Sequence, residues 1–178
     1  MSKHFNESAE VAERMEAKSA KLEERISIPK WQVNKLKNIL LYILERCAGK
    51  PNFGETVLYK LLYFWGFNYN ELYGEHLTGA KYRKLPCAPV PQKLDAVSAQ
   101  MIQGGQLQSV KSEYRGFIQT RYFPLEKAVL TEWRTCWKEI IDKVINQISD
   151  WSAAGISNYS HKDMPWLASK EAEEISYE

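Results

Sequence analysis

From Trp31 onward the apolar positions Val33, Leu36, Leu40, Ile43, Leu44 and Cys47 fall mostly three or four residues apart, and the series stops at Gly49 and Pro51. That period places one apolar stripe on a helix, and the stop residues end it. The next segment, Val57 to Phe67, is apolar almost all round, with Leu58, Tyr59, Leu61, Leu62, Tyr63, Phe64 and Trp65 interrupted by Lys60. A helix with no polar face is surrounded by other elements, so this segment predicts the centre of the fold. Upstream of Pro29, residues 1–27 carry only a thin apolar line, Val11, Met15, Leu22 and Ile26, among charges that nearly cancel. This predicts an exposed helix, supported slightly by Glu10 and Arg14 four residues apart. So narrow a stripe suits either a solvated arm or a helix that docks on a partner chain or a second copy.

The helical period breaks after the central segment. Leu77 to Tyr82 predicts a short extended piece, and Pro86, Pro89 and Pro91 then fix the backbone and remove donors, which predicts a rigid loop. Pro91 suits the first turn of a helix carrying Leu94, Val97, Met101 and Ile102 and ending at Gly104 and Gly105. Leu107 to Val110 and Phe117 to Phe123, separated by Glu113 to Gly116, read as a hairpin, the second run bearing aromatics on both faces. Thr131 is the candidate N-cap of a last long helix, whose stripe of Trp133, Trp137, Ile140, Val144 and Ile148 should pack on the central one. A helical turn through Ala153 to Ser157, a loop or docking segment from Tyr159 to Trp166, and a frayed acidic tail from Lys170 complete the expectation. The predicted class is α+β: a mostly helical single domain with a central buried helix and a small antiparallel sheet built from the hairpin, with Thr78 to Lys84 as a candidate further strand. The predicted divisions are a charged helical extension over 1–29, a folded domain over 30–168 and an acidic tail over 169–178.

At 178 residues, 44% hydrophobic and 26% charged with net charge +2, the chain suits one globular domain whose core needs neither disulfide nor metal. The Val57 to Phe67 run falls short of the roughly 18 to 20 apolar residues of a membrane span, so no membrane partner is expected. Lys3, Glu7, Glu10 and Glu13 stand where a secretory signal would have a basic tip and an apolar stretch. Three widely spaced cysteines, Cys47, Cys87 and Cys136, suit reduced thiols, and the expected location is the cytoplasm. An aromatic content of 12% favours both well-packed cores and the centres of interfaces.

The chain has no Gly-rich phosphate loop ending in Lys-Ser or Lys-Thr, no His-Glu-x-x-His, no Cys-x-x-Cys and no Gly-x-Ser-x-Gly. The expectation is therefore no enzyme, no cofactor and no metal. Cys87, near Arg83 and Lys84, could act as a nucleophile if its thiol pKa were lowered, but it equally suits a small apolar position. His161 with Asp163, and His76 with Glu75, give two ligands each, below a closed metal site. Between Leu77 and Phe123, Lys81, Arg83, Lys84, Lys93, Lys111, Arg115 and Arg121 outnumber Asp95 and Glu113. With Tyr82, Tyr114, Phe117 and Tyr122 interleaved, this basic middle could steer an anionic partner or form a solvated face.

Tyr59-Lys60-Leu61-Leu62-Tyr63-Phe64, then Leu77-Thr78-Gly79-Ala80-Lys81-Tyr82, then Leu85-Pro86-Cys87-Ala88-Pro89-Val90-Pro91 resembles the Panacea domain of SocA-like antitoxins. Tyr159-Ser160-His161 with Pro165-Trp166 is similar to the closing segment of that family, so the resemblance runs from about Leu36 to Trp166. Where many members carry Tyr-Gly-Pro, this chain has Cys87-Ala88-Pro89, a departure that asks for ordinary backbone angles at Ala88. The resemblance implies a non-catalytic antitoxin that binds and neutralises a toxin protein encoded by the adjacent gene. Two alternatives stay open: an adaptor that delivers the toxin to a protease, and a DNA-binding autorepressor, although nucleic acid is not the leading partner. Oligomers, of its own copies or mixed, also stay open. The Pro-rich loop beside the positive surplus nominates Tyr82, Arg83, Lys84 and Pro89, with Tyr114 and Arg115 of the hairpin, as partner-binding residues. Lys60 and Tyr63 are expected to serve packing.

Overall fold

The computed structural model describes residues 11–18, 30–131 and 133–177. Helix α1 spans Lys30–Cys47 and α2 spans Glu55–Tyr73. Strands β1 (Tyr82–Leu85) and β2 (Ala88–Pro91) follow, then α3 (Leu94–Gln103) and the long strands β3 (Leu107–Tyr114) and β4 (Phe117–Pro124). The chain continues through α4 (Thr135–Ile148), α5 (Ala153–Ser160), α6 (Met164–Ala168) and a two-residue strand, β5 (Glu174–Ile175). The class is α+β, as the sequence predicts.

Helix α2 is the centre because its apolar residues leave no face for water. Val57, Leu58, Leu61, Leu62, Tyr63 and Trp65 are each at most 2% exposed. Around it pack β2, α4, α5 and the root of β4. The stripe of α1 is buried as the periodicity predicts, and Tyr42 on that helix ties it to α4 by donating to Asp142 Oδ1 at 2.8 Å. Asp142 also receives Lys138 at 3.1 Å and Arg46 at 3.5 Å.

Four expectations are corrected. The strands form two separate antiparallel sheets, β2-β1-β5 and β3-β4, so the long hairpin does not join the strand at Tyr82. The Pro-rich stretch is a strand rather than a loop, with Pro86 and Cys87 alone making the turn. The register explains why proline is tolerated there. Lys84 turns both its backbone N–H and its carbonyl toward Glu173 and Ala172 (2.9 and 2.8 Å), away from β2. Its partner Pro89, and Pro91 two residues on, therefore place their missing donors on the open edge. Pro91 ends β2 and α3 begins only at Leu94. Ala88 is not among the residues with positive φ, so its methyl group sits in ordinary strand backbone.

The third correction concerns α4, which begins at Thr135 with Arg134 at its N-cap and no side-chain cap. Trp133 lies outside it in a turn closed by its own N–H to Leu130 O (3.0 Å), and its ring meets Tyr42 at 4.9 Å. The fourth is the C-terminus: Tyr159 to Trp166 folds into α5 and α6, and the tail docks. Ile175 pairs with Tyr82 and is 1% exposed, while Tyr177 stacks on Phe67 at 4.1 Å and donates its hydroxyl to Ala80 O at 2.8 Å. Two apolar side chains on alternate residues of an otherwise acidic stretch are enough to close the outer edge of β1.

Residues 11–18 are helical and exposed, with Val11 57% and Met15 49% accessible, and Met15 O accepts from Gln103 Nε2 at 3.1 Å. Leu22 and Ile26 of the same expected stripe lie outside the described residues. Among the described residues no helix is long and apolar enough to cross a membrane.

Because the tail is docked, Ile175→Ala is expected to lower stability by roughly 2 to 4 kcal/mol, as large-to-small changes in a packed interior do. Urea unfolding monitored by circular dichroism checks this. A midpoint equal to that of the parent protein would mean the tail is not part of the cooperative unit.

Candidate functional site

The nominated residues divide between interior and surface. Tyr82 is 2% exposed and meets the rings of Tyr63 (5.4 Å, 81°) and Phe67 (5.9 Å, 63°) edge-on. Burial pushes its hydroxyl well above the usual phenol range. Pro89 is buried in β2. Lys84 is half-buried, its Nζ donating to Trp166 O (2.7 Å) and Ser169 O (2.9 Å) while lying 4.9 Å from the Trp166 ring. These three hold the domain together and offer no shared patch. Arg83 is exposed on β1, whereas Tyr114 ends β3 of the other sheet and Arg115 lies in the turn after it, its guanidinium 5.4 Å from the Tyr114 ring.

The motif residues form a latch between α2 and the C-terminal helices. Tyr63 donates to Asp163 Oδ2 at 2.5 Å, and burial together with that carboxylate raises its pKa. Phe64 meets Tyr159 at 5.1 Å, and His161 stacks on Trp166 at 4.6 Å and 13°. His161 and Asp163 are thus spent on packing and a hydrogen bond. His76 packs edge-on against Tyr177, and Glu75 accepts from Tyr69. Among the described residues no three or more His, Cys, Asp or Glu side chains gather to hold a metal. Lys60 is fully buried on α2, and its Nζ has no hydrogen-bond partner. Burial lowers its pKa to about 8, and the neighbouring Cys87 only partly opposes this.

Part of the basic middle is structural too, while Arg83, Lys93, Lys111 and Arg115 are exposed. Arg121 donates from Nη2 to Ala48 O (2.5 Å) and Lys50 O (3.0 Å), covering the carbonyls that follow the end of α1. Lys81 pairs with Glu174 at 3.0 Å. Cys87 is exposed at the β1–β2 turn.

What does reach solvent is the tip of the β3–β4 hairpin. Arg115 and Gly116 have φ of 51° and 82°, the positive angles a two-residue hairpin turn requires and glycine supplies most easily. The root of β4 is pinned: Gln119 Nε2 donates to Pro51 O (2.7 Å) and Tyr122 to Glu55 Oε1 (2.8 Å). The approach is so close that a Cβ at Gly54 would lie 2.5 Å from Gln119 Oε1. Beyond that anchor, Phe117 and Ile118 are 77% and 70% exposed. They border a groove of about 630 Å³ whose other walls are the start of α2 (Gly54, Glu55, Thr56) and the start of α5 (Ser152, Ala153, Ala154). The available sequence signal was two large apolar residues directly after a turn glycine, where a hairpin cannot bury them against itself.

The latch and the two short strands fall in the stretch where the family signal is found. The model of the family described as antitoxin SocA-like, Panacea domain, matches residues 58–167, more than half of the 178-residue chain, and the chain belongs to that family. The match runs from within α2 into α6, leaving α1, residues 11–18 and β5 outside it. Neither the curated proteins nor the solved structures contain a match to the chain.

The buried Lys60 carries a pH signature. The unfolded chain holds this proton up to about pH 10.5 and the folded chain only to about pH 8, so between those values the unfolded state binds more protons and stability rises with pH. The buried Cys47 thiol, pushed up to about 11, and the tyrosines with raised pKa values act oppositely, but equally in the parent and in a variant without the amine, so the Lys60 contribution is read as their difference over the window of about pH 8 to 9.5. Across it, the parent protein is expected to gain stability relative to Lys60→Met, by on the order of 1 to 2 kcal/mol. Equal slopes of unfolding free energy against pH in the two proteins would contradict a buried, depressed amine.

Proposed function

We propose that this protein is the antitoxin of a toxin–antitoxin pair, that its partner is a toxin protein encoded by the adjacent gene, and that it neutralises the toxin by direct binding without catalysis. Membership of the SocA-like Panacea family supports the antitoxin role. The observation that carries the binding mode is the pinned hairpin tip with Phe117 and Ile118 both exposed, one on each face of β4. Large apolar side chains held in water at a cost of hydration are what a partner surface recovers on docking. The hydrogen bonds of Gln119, Arg121 and Tyr122 order the hairpin beforehand, so less entropy is lost at association. The groove beside the tip gives the partner a concave counterpart, with Arg115 at its rim to engage a carboxylate.

Co-expression of the toxin with Phe117→Ser/Ile118→Ser tests this reading. The double variant is expected to keep the parent's circular dichroism and thermal midpoint, because both residues are exposed, while failing to rescue growth. Its affinity for purified toxin should fall roughly 30-fold or more, corresponding to a loss of about 2 kcal/mol. Rescue by the double variant would remove the hairpin from the interface. A toxin still active in a purified mixture with excess parent protein and no protease present would overturn neutralisation by direct binding.

A further inference from the structure

The two margins of the β3–β4 hairpin differ in kind. Side chains of β4 tie the hairpin to the α1–α2 connection, whereas β3 forms the other margin of a sheet with only two strands. Its register against β4 runs one to one over eight residues, Leu107 to Tyr114, with no bulge and no proline in β3 to blunt the edge. The two-residue turn at Arg115 and Gly116 makes Tyr114 and Phe117 a hydrogen-bonded pair. Alternation along the ladder then leaves Ser109, Lys111 and Glu113 with backbone N–H and C=O pointing away from β4. Leu107, in the same series, faces Pro124, which has no donor to give. Among the described residues no hydrogen bond reaches these outward groups. Gln108 to Lys111 and Glu113 are exposed, and the Ser112 Oγ is shut off from water with no hydrogen-bond partner.

We propose that this edge pairs with the same edge of a second copy, β3 against β3 in antiparallel order about a two-fold axis at Ser112, so that a four-stranded sheet spans a homodimer. The stretch Val110-Lys111-Ser112-Glu113-Tyr114 is complementary to its own reverse. In that register Lys111 faces Glu113 of the partner subunit, and the symmetry repeats the pair, giving two opposite-charge contacts. Both residues have outward backbone groups, so the same two pairs exchange four main-chain hydrogen bonds. A lysine in the middle of an open edge ordinarily opposes strand addition, and the glutamate across from it removes that opposition. On the other face Val110, 38% exposed in the single chain, meets Tyr114 of the partner subunit, a β-branched residue against an aromatic ring. At the axis the two Ser112 residues form the close, non-hydrogen-bonded kind of pair, which brings a hydroxyl toward the Ser112 Oγ that lacks a partner. Moving the axis to Lys111 or to Glu113 would set like charges opposite each other, so charge fixes the register. Strand β4, which carries Phe117 and Ile118, lies on the far side of β3 from the second copy, and the inference does not rest on the toxin reading.

Sedimentation velocity of the full-length protein tests the proposal, at loadings up to about 500 µM because an edge contact of this size is weak. A monomer–dimer equilibrium is expected. Its dissociation constant should rise roughly tenfold or more in Lys111→Glu and in Glu113→Lys, each of which sets like charges opposite each other twice. The double exchange Lys111→Glu/Glu113→Lys should recover the parent affinity to within about threefold, and an equimolar mixture of the two single variants should form a mixed dimer. In both cases every opposed pair again joins a lysine to a glutamate. Unchanged thermal midpoints are expected throughout, since both side chains are exposed. An independent reading comes from Ser112→Cys treated with oxidised glutathione, which should give a covalent dimer whose disulfide, located by mass spectrometry, joins the two substituted positions. A parent protein that is monomeric at every loading, a dimer unaltered by either charge reversal, failure of the mixture or of the double exchange to associate, or absence of that disulfide would overturn the assignment.

Discussion

The structure depends on burying α2 on every side. No single neighbour can do this, so β2, β4, α4 and α5 are all required, and the chain must return to α2 after each excursion. The aromatic cluster of Tyr63, Phe67, Tyr82 and Tyr177 is the clearest expression of that constraint. It draws together residues more than a hundred positions apart, and each ring is placed by contact with another. Lys60 shows how strong the demand is: an ammonium group is kept in the interior and gives up part of its basicity instead of breaking the packing.

The residues that carry the resemblance consequently lie mostly inside. Tyr63 meets Asp163, Lys84 reaches the carbonyls around Trp166, and Tyr82 lies beneath the tail. Their spacing in the chain reflects the return path of the polypeptide over α2. The surface that differs in kind is the hairpin, which leans on the α1–α2 connection through backbone carbonyls and leaves its end in solvent. Such an arrangement separates two requirements. Substitutions at Phe117 or Ile118 leave the interior untouched, so under the proposed binding mode partner preference can change while the fold is conserved.

The sequence made the first two helices legible because α1 carries a strong period with a clear stop and α2 an almost unbroken apolar run. Val33 to Cys47 and Val57 to Phe67 were placed by pattern alone, and the turn ahead of Phe117 by Gly116. The errors have physical causes. Pro89 and Pro91 argue against a strand unless their donors face an open edge, and that depends on which neighbour lies on the other side. The tail looked frayed because Ile175 and Tyr177 are apolar residues in an acidic context, and only the vacant edge of β1 gives them a place. Thr131 offered a plausible cap, but the turn through Trp133 delays α4. For the sites, a surplus of positive charge along the chain did not distinguish cations spent on carbonyls, such as Arg121 and Lys84, from those at the surface.

The three-stranded sheet has a property with consequences in a crowded cell. One margin offers carbonyls but, at Pro89 and Pro91, no amide hydrogens, and the other is sealed by the chain's own final residues. Neighbouring copies therefore find little to zip onto along this sheet, and any strand added between molecules would have to use the β3–β4 hairpin.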